Sequence, residues 1–283
     1  MNIDIQKVCI LGAGTLGTRV ALQAALSGFQ VRIYDLSEEL LERSKQTMQK
    51  LLGALRKEGR FTEIEDEVLW SRLLFTTDPA TAVKDADLIN ESVTEDVGIK
   101  QEVWKRFGAL APEKTLFTTN TSYLLPSMFA EHSGRPERFC ALHFHDVFTA
   151  RVVDIMPHPG TDPGLIAPLE RFGEALEQVP VLVKKENSGY LFNTMLLALI
   201  GAAGKLLTKE VASVEDIDKS WMVNFHMPQG PFGILDAIGL DTAYHVTKAR
   251  KDTASQQFAA LLKTYVDAGK LGKKSGEGFY RYK

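Results

Sequence analysis

Three glycines and an aspartate near the start of the chain have the spacing of a nucleotide-binding turn. Gly12, Gly14 and Gly17 follow a short apolar segment, and Asp35 ends the next apolar segment. In such a turn the first glycine permits the sharp bend, the second lets a pyrophosphate approach the backbone, and the third lets the following helix pack on the strand. The N–H groups at the start of that helix then face the phosphates. The pattern predicts a dinucleotide site, with a plain strand-to-helix turn as the alternative.

Asp35 narrows the choice of dinucleotide. A carboxylate at the end of the second strand accepts hydrogen bonds from the adenosine ribose hydroxyls and repels a 2′-phosphate. No Lys or Arg lies between Asp35 and Arg43 to attract such a phosphate. We therefore expect NAD rather than NADP, bound by the three glycines, by Thr15 and Leu16 between them, and by Asp35. A solvated turn aspartate is the alternative.

A histidine and a second aspartate could supply the proton chemistry that a dinucleotide implies. Hydride transfer needs a group that exchanges a proton with the reacting hydroxyl near neutral pH. His143 ends a predicted strand, and Asp154 lies in the next one, 11 residues later. Neighbouring strands would bring the carboxylate to the imidazole, which fixes the tautomer and stabilises the imidazolium. From the residues alone, a structural core histidine is the favoured interpretation.

The elements that must position these groups alternate between strands and helices. Short apolar segments are separated by helix-like ones, which is typical of a parallel sheet covered on both faces. From residue 188 onward only helical patterns remain. We predict an α/β fold, a Rossmann-type doubly wound, mostly parallel sheet followed by an all-helical C-terminal domain. The predicted strands are 8–11, a second strand that ends at 35, then 73–76, 88–90, 116–119, 139–144, 152–156 and 181–183.

The boundary between two domains is expected after residue 185. Residues 1–185 would form an NAD-binding Rossmann domain, with a helical hairpin over 37–72 that Gly59 interrupts. Residues 186–283 would form a helical domain for substrate binding and dimerisation, in which Ser213, followed by an aspartate three residues later, predicts a helix start. No Pro- or Ser-rich spacer separates the halves, so we expect them to pack closely and to hold substrate at their interface.

Composition excludes several classes of partner. The net charge of −3 and the lack of long basic runs argue against nucleic acid. The longest apolar stretch is interrupted by Asn193 and Thr194, so we expect a buried helix rather than a membrane span. No secretory signal pattern precedes the first strand, which favours a cytoplasmic protein. Cys9 and Cys140 lack metal-ligand spacing and are expected in the core, and we expect no metal.

Several motifs occur together in the order of one known family. The chain resembles the 3-hydroxyacyl-CoA dehydrogenase family over essentially its whole length. The motifs that carry the resemblance are GAGTLG from residue 12, Asn-Thr-Ser-Tyr-Leu from 120, Leu-His-Phe from 142, Ser-Gly-Tyr-Leu-Phe-Asn from 188, Asp-Ile-Asp from 216, Gly-Pro-Phe from 230, Gly-Leu-Asp-Thr from 239, Gly-Lys-Leu-Gly from 269 and Gly-Glu-Gly-Phe-Tyr from 276.

The resemblance implies a role for each candidate residue. His143 would be the general acid and base, with Asp154 as its carboxylate partner. Ser122 and Asn193 would hydrogen-bond the reacting oxygen, although a helix cap and a buried polar residue are their respective alternatives. The cofactor would also meet three further residues, and the protein would be a homodimer that acts on a 3-hydroxyacyl-CoA, such as 3-hydroxybutyryl-CoA. These further cofactor residues are Glu91 near the nicotinamide, Lys100 in the following helix, and Asn120.

The chain departs from the family pattern around the substrate. Where the family segment reads His-Phe-Phe-Asn-Pro, this chain has a histidine at 145, an aspartate at 146 and Val147. The family carboxylate is usually a glutamate one residue farther from the catalytic histidine, and the family arginine after Asn193 is replaced by Thr194. His145 and Asp146 could form a metal or second proton site, but no third ligand has a recognisable spacing.

These departures leave two alternatives open beside the acyl-CoA reaction. The first is the same chemistry on a small non-CoA substrate, such as a diketone, a carnitine-like hydroxy acid or a sugar acid. The second is an NAD-binding structural or sensor protein without turnover. Basic residues in the hairpin could meet CoA phosphates, although a solvated helix face is the favoured interpretation. These residues are Lys45, Lys50, Arg56, Lys57 and Arg60.

Overall fold

Eight strands of the first unit form one sheet. The computed structural model describes residues 4–282, which divide into two compact units with the boundary between Leu191 and Phe192. The sheet order is β3-β2-β1-β4-β5-β6-β7-β8. The strands are β1 Lys7–Leu11, β2 Gln30–Tyr34, β3 Leu73–Thr76, β4 Leu88–Glu91, β5 Leu116–Thr119, β6 Phe139–Asp146, β7 Ala150–Pro157 and β8 Val179–Leu182.

The strand order places the nucleotide turn at a crevice. All neighbouring strands pair in parallel except β6 and β7, which are antiparallel. β1 lies between β2 and β4. The chain therefore runs from β1 to β2 on one side, and it later returns to β4 on the other side of β1. In open parallel sheets ligands bind beyond the carboxyl ends of the strands at this reversal. The predicted doubly wound, mostly parallel sheet is confirmed.

Helices cover both faces of the sheet because its strands are apolar on both. Along β1, Val8 and Ile10 join the core cluster under α1, whereas Cys9 and Leu11 join the cluster that contains Trp104 of α5. This alternation follows from the two-residue period of a strand. Cys140 is likewise buried. The helices of this unit are α1 Thr15–Leu26, α2 Glu38–Lys57, α3 Asp66–Ser71, α4 Pro79–Val83, α5 Val97–Leu110 and α6 Ile166–Ala175.

The predicted hairpin over 37–72 consists of α2 and α3. Glu38 and Glu39 lie in the first turn of α2, where carboxylates are favourable. Gly59 follows α2 at φ +77°, in the left-handed region that glycine adopts without strain. One face of α2 is buried on the first unit's core, and the opposite face is charged. The buried residues are Leu41, Ser44, Met48, Leu52 and Leu55.

The second unit is helical, with one departure from the prediction. The Ser213 hydroxyl accepts the Asp216 N–H at 3.1 Å and caps α8 as expected. The prediction of no further β structure is wrong at the C-terminus, where Glu277 forms antiparallel bridges with Gly272 and Arg281. No described helix has the length and apolar character needed to cross a membrane. The helices are α7 Phe192–Thr208, α8 Val214–Phe225, α9 Pro231–Ile238, α10 Leu240–Lys248 and α11 Thr253–Asp267.

Candidate active site

His143 and Asp154 are a cross-strand pair. In the antiparallel ladder of β6 and β7 the two residues lie directly opposite one another, where side chains on the same face come into contact. His143 Nδ1 lies 3.0 Å from Asp154 Oδ2, and His143 Nε2 lies 3.2 Å from the hydroxyl oxygen of Ser122. The structure therefore joins a hydroxyl, an imidazole and a carboxylate in one chain of hydrogen bonds.

Burial and hydrogen bonding fix the charge of this chain. Burial lowers the pKa of His143, against the raising effect of its hydrogen bond to Asp154. Burial alone would raise the pKa of Asp154, but hydrogen bonds from His143 and His145 outweigh it and hold that pKa below its usual range. At neutral pH the resting site thus has a neutral imidazole and a carboxylate. Such an imidazole donates from Nδ1 to Asp154 and accepts the Ser122 hydroxyl at Nε2.

His145 brings a second imidazole to the same carboxylate. Its Nε2 lies 2.8 Å from Asp154 Oδ2. The grouping of His145 with Asp146, considered from the sequence, is wrong because Asp146 instead accepts two hydrogen bonds from Arg19 Nη2, at 2.8 and 3.0 Å. One nitrogen of His143, one nitrogen of His145 and one carboxylate oxygen of Asp154, which are atoms that can ligate a metal, lie within 4.8 Å of one another. Hydrogen bonds account for that grouping, and the expectation of no metal stays a prediction.

Tyr190 packs flat on the catalytic imidazole. The rings of His143 and Tyr190 are stacked, with centroids 4.6 Å apart and planes inclined by 20°. Tyr190 is fully buried, and burial raises the pKa of its phenol well above the usual value. The stack holds the His143 ring in the plane that its two hydrogen bonds require. Sequence reasoning missed this contact, although Tyr190 belongs to one of the family-like motifs.

Glu95 anchors the loop that carries Ser122, and sequence reasoning missed it. Its Oε1 accepts the hydroxyl of Thr121 and the N–H groups of Ser122 and Tyr123, the latter two at 3.1 and 3.3 Å. Its other oxygen lies 3.4 Å from Lys100 Nζ. A carboxylate that collects three donors from one loop fixes the backbone on which Ser122 stands. The sequence offered no periodicity or motif that marks this position.

The nucleotide turn has the close contacts that its glycines predict. Gly12 has φ +106°, and a Cβ added there would lie 2.6 Å from the Ser92 carbonyl oxygen. A Cβ on Gly17 would lie 2.1 Å from the carbonyl oxygen of Gly12, so the start of α1 can approach β1 only with glycine at that position. A Cβ on Gly14 would meet nothing within 4 Å. Gly14 therefore borders open space, which a pyrophosphate needs in order to reach the backbone.

Asp35 lies beside this turn and lines the adjoining cavity. Its Oδ2 accepts the Ala13 N–H and its Oδ1 the Leu36 N–H, both at 2.7 Å. A carboxylate has about four acceptor positions, so about two remain for ribose hydroxyls. The cavity holds about 660 Å³ and is also lined by Gly12 and Gly14. Thr15 is exposed at the first turn of α1 and Leu16 packs on the core cluster under that helix.

Two of the residues expected to contact the cofactor are buried beneath its loops, and the expected contact of the third, Asn120, stays a prediction. Glu91 and Lys100 form a 2.6 Å ion pair with side chains only 0% and 1% exposed. Glu91 also accepts the Val93 N–H at 2.9 Å, so the pair lies beneath the loop after β4. The Asn120 side-chain amide makes two hydrogen bonds: its oxygen accepts the Phe144 N–H, and its nitrogen donates to the Ser92 hydroxyl. Direct contact of Glu91 and Lys100 with a cofactor is not what this structure shows, because neither side chain reaches the surface.

Asn193 lies in the first turn of α7, in the second unit. Its expected hydrogen bond to the reacting oxygen stays a prediction.

The two halves of the chain match the two domains of one family. Residues 7–187 match the 3-hydroxyacyl-CoA dehydrogenase NAD-binding domain, and residues 189–282 match the C-terminal domain of the same family. The chain belongs to the 3-hydroxyacyl-CoA dehydrogenase family. The family predicted from the motifs is thus confirmed. A member of this family is an oxidoreductase that acts on a CH–OH group, and its cofactor is NAD. The glycine contacts, the Asp35 carboxylate and the cavity beside them fit that cofactor.

Similar proteins span the full chain. Mitochondrial hydroxyacyl-coenzyme A dehydrogenase from Homo sapiens is 32% identical, over 100% of this chain and 93% of its own. A solved structure of a diketoreductase that acts on dicarbonyl compounds is 39% identical with a TM-score of 0.93, over 98% of this chain and 99% of that one. The (S)-3-hydroxybutyryl-CoA dehydrogenase of Ralstonia eutropha is 29% identical with a TM-score of 0.85, over 99% and 100% respectively.

Proposed function

We propose that this member of the family interconverts 3-hydroxyacyl-CoA and 3-oxoacyl-CoA thioesters with NAD, and that His143, Asp154, Ser122 and Asn193 carry the reaction. The observation that carries the proposal is the continuous hydrogen-bonded chain from the Ser122 hydroxyl through His143 to Asp154. A general acid and base needs a pKa near the working pH and a fixed tautomer. The hydrogen bond from Nδ1 to the buried Asp154 carboxylate fixes the tautomer and raises the pKa of His143 against the lowering effect of burial.

In the direction of reduction, the protonated His143 donates its Nε2 proton to the carbonyl oxygen of the substrate. When bound, the reduced cofactor supplies the hydride that the carbonyl carbon receives. Asp154 accepts the His143 Nδ1–H throughout and stabilises the imidazolium before the transfer. The Ser122 hydroxyl, 3.2 Å from Nε2, donates to the same oxygen as negative charge develops on it. In oxidation, neutral His143 takes the hydroxyl proton at Nε2.

Asn193 is the proposed second donor to the reacting oxygen, by resemblance to the family. Removal of one such donor costs roughly 10²–10³ in kcat. Asn193→Ala should lower kcat in this range while NADH binding, measured by its fluorescence, stays within about twofold. An unchanged kcat would remove Asn193 from the set.

A second candidate substrate class is a small dicarbonyl compound without CoA. Two of the five hairpin cations considered for CoA phosphates are already engaged: Arg56 pairs with Asp66 at 2.7 Å, and Arg60 lies over the Phe148 ring and 3.7 Å from Glu177. The similar diketoreductase structure supports this class for the present chain. The histidine and aspartate that replace family residues at 145 and 146 lie on the same strand as His143.

Initial rates of NADH consumption distinguish the two candidates. Acetoacetyl-CoA is compared with free 3-oxo acids, dehydrocarnitine and diketones at equal concentrations. A kcat/KM at least tenfold higher for the thioester supports the first candidate, and the reverse supports the second. His143→Gln is the control, since it should abolish turnover of every substrate while NADH still binds. Turnover that survives this substitution would contradict the proposed mechanism.

A homodimer through the second unit is proposed on the basis of its exposed apolar surface. Met195 on α7 and Val223 and Phe225 on α8 are 65%, 66% and 64% exposed, and the resemblance to the family also implies a homodimer. Sedimentation velocity at micromolar concentration should give a dimer, and Phe225→Glu should yield monomer. Val179→Glu, at a site that is 59% exposed in the first unit, is the matched control and should leave the dimer intact.

The cytosolic compartment also stays a proposal, since the human relative is named as mitochondrial. Fractionation of the native cells, with an antibody to this chain, checks it.

A further inference from the structure

Two imidazoles share one oxygen of the Asp154 carboxylate. His143 Nδ1 lies 3.0 Å and His145 Nε2 2.8 Å from the same Oδ2 atom. The two rings are 4.7 Å apart and inclined by 53°. A carboxylate oxygen has two lone pairs, so it can accept both N–H bonds at once. The role proposed for Asp154 with His143 does not account for the second bond.

The two-residue period of β6 places His145 beside this carboxylate. His143 and His145 are two residues apart and lie on the same face of β6. His145 stands opposite a bulge in β7, since Phe144 pairs with Val153 and Asp146 pairs with Ala150, which leaves one residue of β6 facing two of β7. The side chains of His145, His143 and Asp154 are 11%, 4% and 1% exposed. His145 is therefore the member of the cluster nearest to solvent.

The second N–H bond changes how strongly Asp154 holds a proton on His143. Each donor to Oδ2 withdraws part of the charge that stabilises the His143 imidazolium. The nearby His145 ring also acts electrostatically against a positive charge on His143 and lowers the pKa of His143. Both effects act in one direction, since each makes protonation of His143 less favourable.

We propose that His145 is a positioning residue that shares Asp154 with His143 and sets the pH range in which His143 exchanges its proton. The inference rests on the proposed function, because it concerns the proton that His143 transfers. It also gives a role to a histidine where the family segment has phenylalanine.

The other charged and titratable groups around His143 do not replace this effect. Glu95, from the loop after β4, raises the pKa of His143, whereas His145 lowers it. Tyr190 stacks on the ring from the segment before α7 and stays neutral, because burial raises its pKa well above the usual value. Asp146, at the end of β6, is neutralised by Arg19 from α1. Among these side chains, His145 is thus the one that lowers the pKa of His143, whereas Asp154 and Glu95 raise it.

Two substitutions separate the hydrogen bond of His145 from its charge. His145→Phe removes both and introduces the family residue, which the strand should accommodate. His145→Gln keeps an N–H donor near the position of Nε2 but cannot carry a charge. His132→Gln, at an exposed site in another segment, is the matched control.

The readout is NMR titration of His143 in the resting protein labelled with ¹³C-histidine, assigned with His143→Gln. His145→Phe should move the His143 midpoint upward by about one pH unit. His145→Gln should move it upward by a smaller amount, and His132→Gln should not move it. With turnover substrates, the pH limbs of kcat/KM for reduction and for oxidation should both move in the same direction as the midpoint.

A His143 midpoint that stays within about 0.2 unit in His145→Phe would overturn the proposal, even if activity falls. A fall of that kind would make His145 a merely structural contact. Because the titration needs no substrate, it decides the inference even where no tested compound turns over. Failure of the proposed function would instead appear as inactivity of the unsubstituted protein in the substrate panel.

Discussion

The buried ion pair beneath the cofactor loop allows a quantitative test. Lys100→Met keeps the length and apolar stem of the side chain but removes its charge. The pair is 2.6 Å long, with exposures of 1% and 0%, and loss of one partner from such a pair typically costs about 3–5 kcal/mol. Glu91 would still accept hydrogen bonds from Val93 and Thr119, so we expect the low end, about 3 kcal/mol. That corresponds to a change of roughly 150-fold in the unfolding equilibrium.

The same helix carries a suitable reporter. Trp104 is fully buried in α5, one turn after Lys100, so urea unfolding can be followed by its fluorescence in a background with Trp70→Phe and Trp221→Phe. The reporter follows the first unit even if the second unit unfolds separately. NADH affinity should weaken in parallel, because the loop that follows β4 loses its support.

A matched control in the first unit is the exposed pair of Lys7 and Asp85, with side chains 47% and 52% exposed. Lys7→Met should leave the free energy of unfolding nearly unchanged, because solvent already screens that pair. Adding Glu91→Gln to Lys100→Met should recover part of the lost stability, since the uncompensated charge is then gone. If Lys100→Met costs no more than the exposed control, the argument from burial is refuted.

Three further predictions concern catalysis and cofactor choice. Asp154→Asn should lower kcat by roughly 10²–10⁴ with little change in NADH binding, because the imidazolium of His143 loses its counter-charge; a loss under about threefold in stopped-flow turnover would contradict this. Burial holds the pKa of His143 below the usual 6.5. Reduction uses the protonated form of His143, so the kcat/KM for reduction should fall as pH rises through that lowered pKa, and the kcat/KM for oxidation should rise over the same range. Initial rates from about pH 5 to 9 measure both. Asp35→Ser should raise the ratio of kcat/KM with NADPH to kcat/KM with NADH by at least about tenfold, because repulsion of the 2′-phosphate is removed. Steady-state kinetics with both cofactors measure this ratio. An unchanged ratio would mean that Asp35 plays no part in the choice of cofactor.

The predictable parts of the fold are those that local sequence patterns specify. The spacing of Gly12, Gly14 and Gly17 specifies a strand, a turn and a helix within a few residues. Likewise, the apolar segments around His143 and Asp154 predicted two strands whose adjacency brings the side chains together. Their register, which the sequence could not specify, decides that they lie directly opposite one another.

The parts that were missed depend on contacts between distant segments. Arg19 and Asp146 are 127 positions apart, so no spacing rule relates them. The depth of Glu91 and Lys100 follows from the layers packed over β4 and α5, which composition does not specify.

The bulge between Phe144 and Asp146 has a consequence for insertions and deletions. It lies between the paired His143 and Asp154 and the turn over 147–149 that joins their strands. A bulge accommodates one extra residue on one strand without changing the pairing beyond it. The bulge and turn together can therefore gain or lose a residue while His143 stays opposite Asp154. Chains whose histidine-to-carboxylate spacing differs by one residue are thus expected to keep the same contact, and sequence spacing alone is a poor criterion for aligning it.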